Sequence, residues 1–350
     1  MNQSDRIGTP MESLGKPESS ADRSKYLQVM AAGAAYPKKR MTNDDWAARV
    51  DTSDEWIRTR TGIVSRQVAE KGETTSSLAI RAARQAMARS GVASDQVGCC
   101  ICASMTADSQ VPNMACLVQR ELGLPVGIPS LDLNAACSGF VYALAVAQGL
   151  LILTGAEYGL VIGAEVMTST LDFDDRNTAI LFGDGAGAVV VRRGCNDSSG
   201  FDVRKGFLRY PGLVLGSSGD TAITKKNRPG DYLQMDGHAV YRFAVETLPH
   251  CIREVLLQTG DRLENVEHIV CHQANARILS ACVRRLGAEP AQFFQNLDHT
   301  GNTCAASIPL AICEMEEAGL LHPGEKILAV GFGGGLTWGG MMLTYEGHGR

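Results

Sequence analysis

Asn134-Ala-Ala-Cys137-Ser-Gly139-Phe-Val-Tyr-Ala-Leu144 sets one cysteine among small residues, between a strand pattern and a helix pattern. Upstream, Ile128-Pro-Ser-Leu-Asp-Leu133 reads as a short buried strand. Downstream, Phe140 to Leu153 reads as a helix without a single charge. A thiol at that junction sits at a helix N-terminus, where backbone N–H groups and the helix dipole favour thiolate over thiol. The small neighbours leave room for an acyl chain against the sulfur. This is the setting of a nucleophilic cysteine, provided that partners arrive from elsewhere in the chain. The uncharged run Leu133 to Ala156 is long enough to span a bilayer, but it contains Asn134, Ser138, Gln148 and strand–turn–helix punctuation. It reads instead as a core helix buried on all sides, and no transmembrane segment is expected.

Composition bounds the rest. The 350 residues can bury a large core and form two domains or one pseudo-symmetric unit. A formal charge of −5, from 33 basic and 38 acidic side chains, argues against a general nucleic-acid binder. Eleven cysteines are scattered through apolar segments, apart from the strand-like Val97-Gly-Cys-Cys-Ile-Cys-Ala103. That placement suits free, mostly structural thiols in a reducing cytosol rather than a disulfide framework. Cys99, Cys100 and Cys102 lack a second pair at metal-ligand spacing, so no metal is expected. Residues 1–24 are polar, lack the apolar segment of a signal peptide, and are expected to form a disordered tail.

From Lys25 short apolar strands alternate with helical periodicities, which predicts an α/β fold. Helices are expected at Leu78 to Ser90, Asn113 to Leu122, Val240 to Gln258, Ala274 to Leu286 and Ala305 to Ala318. Strands are expected at Gly98 to Ser104, Tyr158 to Gly163, Gly187 to Val191, His268 to Cys271 and Lys326 to Val330. The second half repeats the plan of the first, and the helices after Cys137 and Asn302 hold corresponding places. Phe182-Gly-Asp-Gly-Ala-Gly187 leads into the strand-like Val189-Val-Val191, so it reads as a tight turn rather than a phosphate-binding loop. Phe332-Gly-Gly-Gly335 likewise precedes a strand, and its glycines would let a backbone N–H approach a reacting carbonyl.

Two further junctions carry polar side chains: Cys271-His272-Gln-Ala-Asn275 and His299-Thr-Gly301-Asn302-Thr-Cys-Ala-Ala-Ser307. Singly, His272 reads as a core histidine and Asn302 as a turn residue. Together with Cys137 they form a set for thioester chemistry. With Asp51-Thr-Ser-Asp-Glu-Trp56-Ile-Arg-Thr-Arg60-Thr-Gly62 and the two glycine motifs, in this order, the chain resembles the β-ketoacyl-acyl-carrier-protein synthase III family from about Lys25 to Tyr345. The resemblance implies a thiolase-like fold of two pseudo-symmetric α/β halves in a layered sheet-and-helix core, divided as 25–196 and 197–350. It implies a cytoplasmic, homodimeric acyltransferase of fatty-acid synthesis with no cofactor, acyl-CoA being a substrate.

In that family Cys137 takes the acyl group, with the N–H groups of Cys137 and Gly334 as oxyanion donors. His272 and Asn302 then stabilise the enolate left when a malonyl group on acyl carrier protein loses carbon dioxide. Elongating synthases would have His at 302, and degradative thiolases a second cysteine near the C-terminus. Trp56 and Arg176 match a pair that sandwiches the adenine of coenzyme A. Thr52, Arg60, Gly237 and Asn275 match contacts along the rest of that molecule. Arg277, Arg284 and Arg285 share a helix face and, with Arg242, would receive the acidic carrier protein. Val111 stands where acetyl-preferring members have a bulky aromatic that lines the acyl pocket across the dimer, which predicts a roomier site. Cys304, where the family commonly has Ser, reads as a packing difference. The alternative on the same fold is a specialised condensing or acyl-transfer enzyme of polyketide- or quinolone-type secondary metabolism.

Overall fold

The computed structural model describes residues 26–194, 201–202, 207–208, 212–225 and 231–347. The tail expected over 1–24 and the boundary expected at 196/197 lie outside them. The first half runs β1 (Leu27–Ala35), α1 (Thr75–Ser90), β2 (Val97–Ala103), α2 (Met114–Leu122), β3 (Ser130–Leu133), α3 (Gly139–Thr154), β4 (Tyr158–Glu165) and β5 (Gly185–Arg192). The second runs β6 (Leu213–Ser217), α4 (Gly237–Thr259), β7 (His268–Cys271), α5 (Ala276–Leu286), α6 (Ser307–Glu317), β8 (Lys326–Gly333) and β9 (Thr337–Tyr345).

Among the described residues these nine strands form one sheet, in the order β7-β8-β9-β1-β5-β4-β2-β3, with β6 alongside β9. The two halves follow one pattern. β2 lies parallel to β4, and β5 runs antiparallel between β4 and β1. Likewise β7 lies parallel to β8, and β9 runs antiparallel between β8 and β6. A parallel contact between Leu27–Val29 and Leu343–Tyr345 joins them.

Most core strands are apolar on both faces, as a sheet covered on both sides requires. Their period of two divides the side chains between separate cores. In β4, Val161 faces the central core while Leu160, Ile162 and Ala164 face α1 and α2. In β8, Ile327 and Ala329 face the same central core, and Leu328, Val330 and Phe332 face α4 and α5. Helices α3 and α6 fill the centre. The two halves of the sheet lie on either side of α3 and α6, giving helix, half-sheet, helix, half-sheet, helix, the layered thiolase-like arrangement.

Both central helices begin with the same turn. Asn134 Oδ1 accepts the Ala136 N–H at 3.0 Å, and Ala136 has φ +46°; Asn302 Oδ1 accepts the Cys304 N–H at 2.9 Å, and Cys304 has φ +49°. A left-handed non-glycine residue needs support from its surroundings. Each turn has it from the opposite half: Gly163 of β4 meets the Ala305 backbone, and Gly331 of β8 meets Ser138, so closely that a Cβ would lie 2.2 Å and 2.7 Å away. The repeat is carried by geometry rather than by residue identity.

Three expectations change. The strand at 128–133 begins at Ser130 and is half-buried, because β3 ends the sheet and pairs only with β2. Helix α3 is not covered all round, since Val146 is 38% exposed and Leu153 81%. Its stretch Ala136–Thr154 is long and apolar enough to cross a membrane, yet Phe140, Val141, Leu144 and Leu151 are wholly buried in the protein's own core. The helices expected from Ala274 and Ala305 start at Ala276 and Ser307, because Asn275 caps the first and a 3-10 turn, Cys304–Ala306, leads into the second. The cysteines of β2 alternate between cores, Cys99 inward and Cys100 and Cys102 towards α1 and α2.

Candidate active site

Cys137, His272 and Asn302 line one cavity of about 800 Å³, together with Gly333 and Gly334. Cys137 stands where β3 hands over to α3 and His272 where β7 hands over to α5, whereas Asn302 sits between the short helix Leu297–Thr300 and the 3-10 turn before α6 rather than after a strand. Cys137 is only 8% exposed. A Cβ on Gly333 would fall 2.5 Å from the Cys137 Cβ, so only glycine lets the β8–β9 turn pass so near the nucleophile. A hydrogen bond from the Cys304 thiol, the His272 imidazole and the Gly334 N–H hold the Cys137 thiol well below its usual range, against the opposing effect of burial.

His272 is buried, its ring edge-on to Phe332 at 5.3 Å between centroids. Its Nδ1 lies 2.7 Å from Ser307 Oγ, and that hydroxyl also reaches the Cys304 carbonyl at 2.9 Å. One hydroxyl proton therefore serves two acceptors. Donated to the carbonyl, it leaves Oγ accepting from Nδ1–H, so a neutral ring has Nε2 free to accept. Donated to Nδ1, it leaves Nε2–H as a donor. Asn302 is locked by its backbone, N–H to the Leu181 carbonyl at 2.9 Å and carbonyl to the Gly183 N–H at 3.0 Å. Its Oδ1 is used by Cys304 N–H, which leaves the Nδ2 amide to donate into the cavity.

Near the sulfur the walls are apolar: Met105, Met167, Leu181, Phe182, Ile223 and Leu233. Of these only Phe182 belongs to a motif, and apart from the neighbours Leu181 and Phe182 they come from separate segments of the chain. Asp184, within the glycine motif, is buried and accepts from the Thr168 N–H, the Thr168 hydroxyl and the Ala69 N–H. The motif is not the tight turn expected: Phe182 bridges Asn302, and Gly185 to Gly187 already belong to β5, with the run held by a buried carboxylate whose pKa burial raises. Cys304 packs beside the nucleophile as expected, and a hydrogen bond with Cys137 first, then burial and the neighbouring Glu165, raise its thiol pKa well above the usual range.

The remaining candidates divide by position. Gly237 and Asn275 line the cavity's outer part with His238 and Arg277. Asn275 also caps α5, its Oδ1 accepting the Arg277 N–H at 2.9 Å, and its amide reaches the Arg60 carbonyl at 3.0 Å. Trp56, Arg60 and Arg176 cluster outside the lining, with the Arg60 and Arg176 guanidiniums 4.6 Å and 5.3 Å from the indole centroid. A base stacked between Trp56 and Arg176 needs about 7 Å, two van der Waals contacts, so the pair is together but closed. Thr52 lies in the same region, its hydroxyl buried and without a partner. Arg277 and Arg284 share a groove with Arg58 and Tyr241; Arg284 and Arg285 flank a second. Arg242 is exposed on α4 and lines neither. Val111 is 88% exposed and outside the cavity, so within one chain it does not shape the acyl pocket.

Comparison with known proteins agrees with this geometry. Models of the 3-oxoacyl-[acyl-carrier-protein (ACP)] synthase III family match residues 131–206 and, for its C-terminal part, 256–345. The chain is 42% identical over 323 residues to the β-ketoacyl-[acyl-carrier-protein] synthase III of Oleidesulfovibrio alaskensis, covering 90% of this chain and 98% of that one. The crystal structure of the 3-oxoacyl-(acyl carrier protein) synthase III of Pseudomonas aeruginosa superposes with a TM-score of 0.83 at 37% identity, covering 92% and 98%. A priming β-ketosynthase of a polyketide biosynthetic pathway superposes with a TM-score of 0.82 at 31% identity, covering 96% and 99%. A buried thiol, an imidazole and a carboxamide on the two-half scaffold of these condensing acyltransferases place the chain in the β-ketoacyl-acyl-carrier-protein synthase III family, and it belongs there.

Proposed function

We propose that the chain works in two half-reactions at one cavity: Cys137 takes an acyl group from acyl-CoA, and the acyl-enzyme condenses with malonyl-acyl carrier protein. The observation that carries this reading is the convergence of Cys137, His272, Asn302 and the Gly334 N–H. In the first step the Cys137 thiolate attacks the thioester carbonyl, and the N–H groups of Cys137 and Gly334 stabilise the oxyanion. Coenzyme A leaves as its thiolate, one thiolate being exchanged for another. In the second step carbon dioxide departs from the malonyl group, and charge gathers on its thioester oxygen. Two neutral donors, His272 Nε2–H and Asn302 Nδ2–H, stabilise that oxygen without a proton that would quench the carbanion. The enolate carbon then attacks the acyl-enzyme and Cys137 departs as thiolate. No metal or organic cofactor has a part in these steps.

Gly237, Asn275, Trp56, Arg60, Arg176 and Thr52 would hold the coenzyme, with Arg176 swinging away from Trp56 to admit the adenine. Arg277 and Arg284, with Arg285 and Arg242 beside them, would receive the carrier protein. We assign the division 25–196 and 197–350 to the two halves, and the cytoplasm to the working protein. A second copy would cover the open edge of β3 and the exposed Val146 and Leu153 of α3. Val111 would then reach the partner's pocket and leave room for primers larger than acetyl.

Intact-mass spectrometry after incubation with acyl-CoA tests the first step. An acyl adduct is expected on the wild type and not on Cys137→Ala; an unmodified wild type would rule the reading out. The similarity to a polyketide-priming enzyme favours one second reading, the same acyl-enzyme serving a secondary pathway. Turnover with acceptors other than malonyl-acyl carrier protein, and none with it, would select that one.

A further inference from the structure

We propose that Cys304 is a positioning residue for the nucleophile, its S–H donating to the Cys137 sulfur in the resting enzyme and turning to the Glu165 carboxyl once Cys137 carries an acyl group. The proposal rests on the reading of Cys137 as the acyl acceptor. Cys304 is fully buried and packs in the same cluster as Cys137, at the wall of the same cavity. Its backbone is fixed at both ends, N–H on Asn302 Oδ1 at 2.9 Å and carbonyl under Ser307 Oγ at 2.9 Å, with φ held at +49°. The direction of its side chain is therefore set by the turn.

Behind it lies Glu165, at the end of β4 and 0% exposed. Its carboxyl accepts from the Met105 N–H at 3.1 Å, from Ser104 Oγ at 3.1 Å and from Thr106 Oγ1. Among the described residues no Lys, Arg or His is a partner of this carboxyl. Burial pushes its pKa up to about 7, while these donors and the Cys304 thiol oppose the rise. The catalytic steps described above give this carboxyl no part.

Cys304 has one S–H proton and two acceptors. While Cys137 is a thiolate, the full charge on sulfur draws the proton; the other titratable group facing that sulfur is His272. Acylation makes the sulfur neutral and a poor acceptor, and the carboxyl becomes the better partner. When condensation expels Cys137 as thiolate, the same S–H returns to it. Only a hydrogen bond moves; no bond to hydrogen is broken.

The test is the pH profile of Cys137 alkylation by iodoacetamide, followed by peptide mass spectrometry. Cys304→Ala should raise the midpoint by about one pH unit, an alkylation about tenfold slower below it, and Cys304→Ser should restore it through its O–H. Ionisation of Glu165 adds a competing acceptor and a negative charge, so the wild-type curve should flatten near pH 7. Glu165→Gln should give a single sigmoid. A Cys304→Ala curve that overlies the wild type would overturn the proposal. So would a flattening near pH 7 that persists in Glu165→Gln, a readout that stands even if Cys304→Ala does not fold. Failure of the underlying reading looks different: wild-type Cys137 would then titrate as an ordinary thiol.

Discussion

Among single residues, Ser307 lets either nitrogen of His272 carry the proton. The first half-reaction needs the ring to support the Cys137 thiolate; the second needs Nε2–H as a donor. A hydroxyl that can point either way allows both. Ser307→Ala should therefore slow condensation about tenfold, the equivalent of one lost hydrogen bond, and acylation less. Rapid-quench measurement of the two steps checks this, and equal slowing of both would refute the tautomer argument. Cys137, His272 and Asn302 were legible in the sequence because each stands in a short motif, the first two at strand-to-helix junctions and Asn302 just after a short helix. Cys304 was read as a packing difference and does pack beside Cys137; that Glu165, 139 positions earlier (304 − 165), is its other neighbour carried no local signal. Met105 and Leu233 were equally invisible: they reach the sulfur through loops whose paths no periodicity encodes.

At the level of elements, the turn that carries Asn302 is tied to α6 from outside. His299 bonds Asp298 at 2.8 Å and reaches Glu314 of α6 at 3.2 Å. Glu314 first, and Asp298 with it, raise the His299 pKa to about 9, against the effect of burial. A histidine whose folded pKa exceeds its unfolded value of about 6.5 stabilises fully below that value, and the contribution fades as pH rises through the folded one. The stability advantage of the wild type over His299→Gln should hold at pH 6 and disappear between about pH 6.5 and 9. Urea denaturation across that range reads it; a difference independent of pH would mean that packing, not charge, holds the turn. The centres of most strands and helices were legible because period 2 and period 3.6 are local properties. Helix starts were less so: Asn275 and the turn Cys304–Ala306 cap or precede helices within runs that look helical.

For the molecule as a whole, the sequence suggested two like halves, and the shared turn at Asn134 and Asn302 shows how they repeat without residue identity. Burial of β3 and α3 was overestimated for one reason: apolar residues record that a surface is covered, not whether the cover belongs to the same chain. A second copy over that face, as proposed above, would account for the surplus. Val146→Glu should turn a dimer into a monomer in sedimentation velocity at micromolar concentration; an unchanged dimer would place the contact elsewhere. The central claim is one pocket with a sulfur for the acyl group and two nitrogen donors for the enolate. Its most direct test measures both half-reactions in two variants, acyl transfer from acyl-CoA and carbon dioxide release from malonyl-acyl carrier protein. Cys137→Ala should lose the transfer and keep carbon dioxide release, while Asn302→Ala should keep the transfer and lose release about a hundredfold. Equal loss of both steps in either variant would contradict the account.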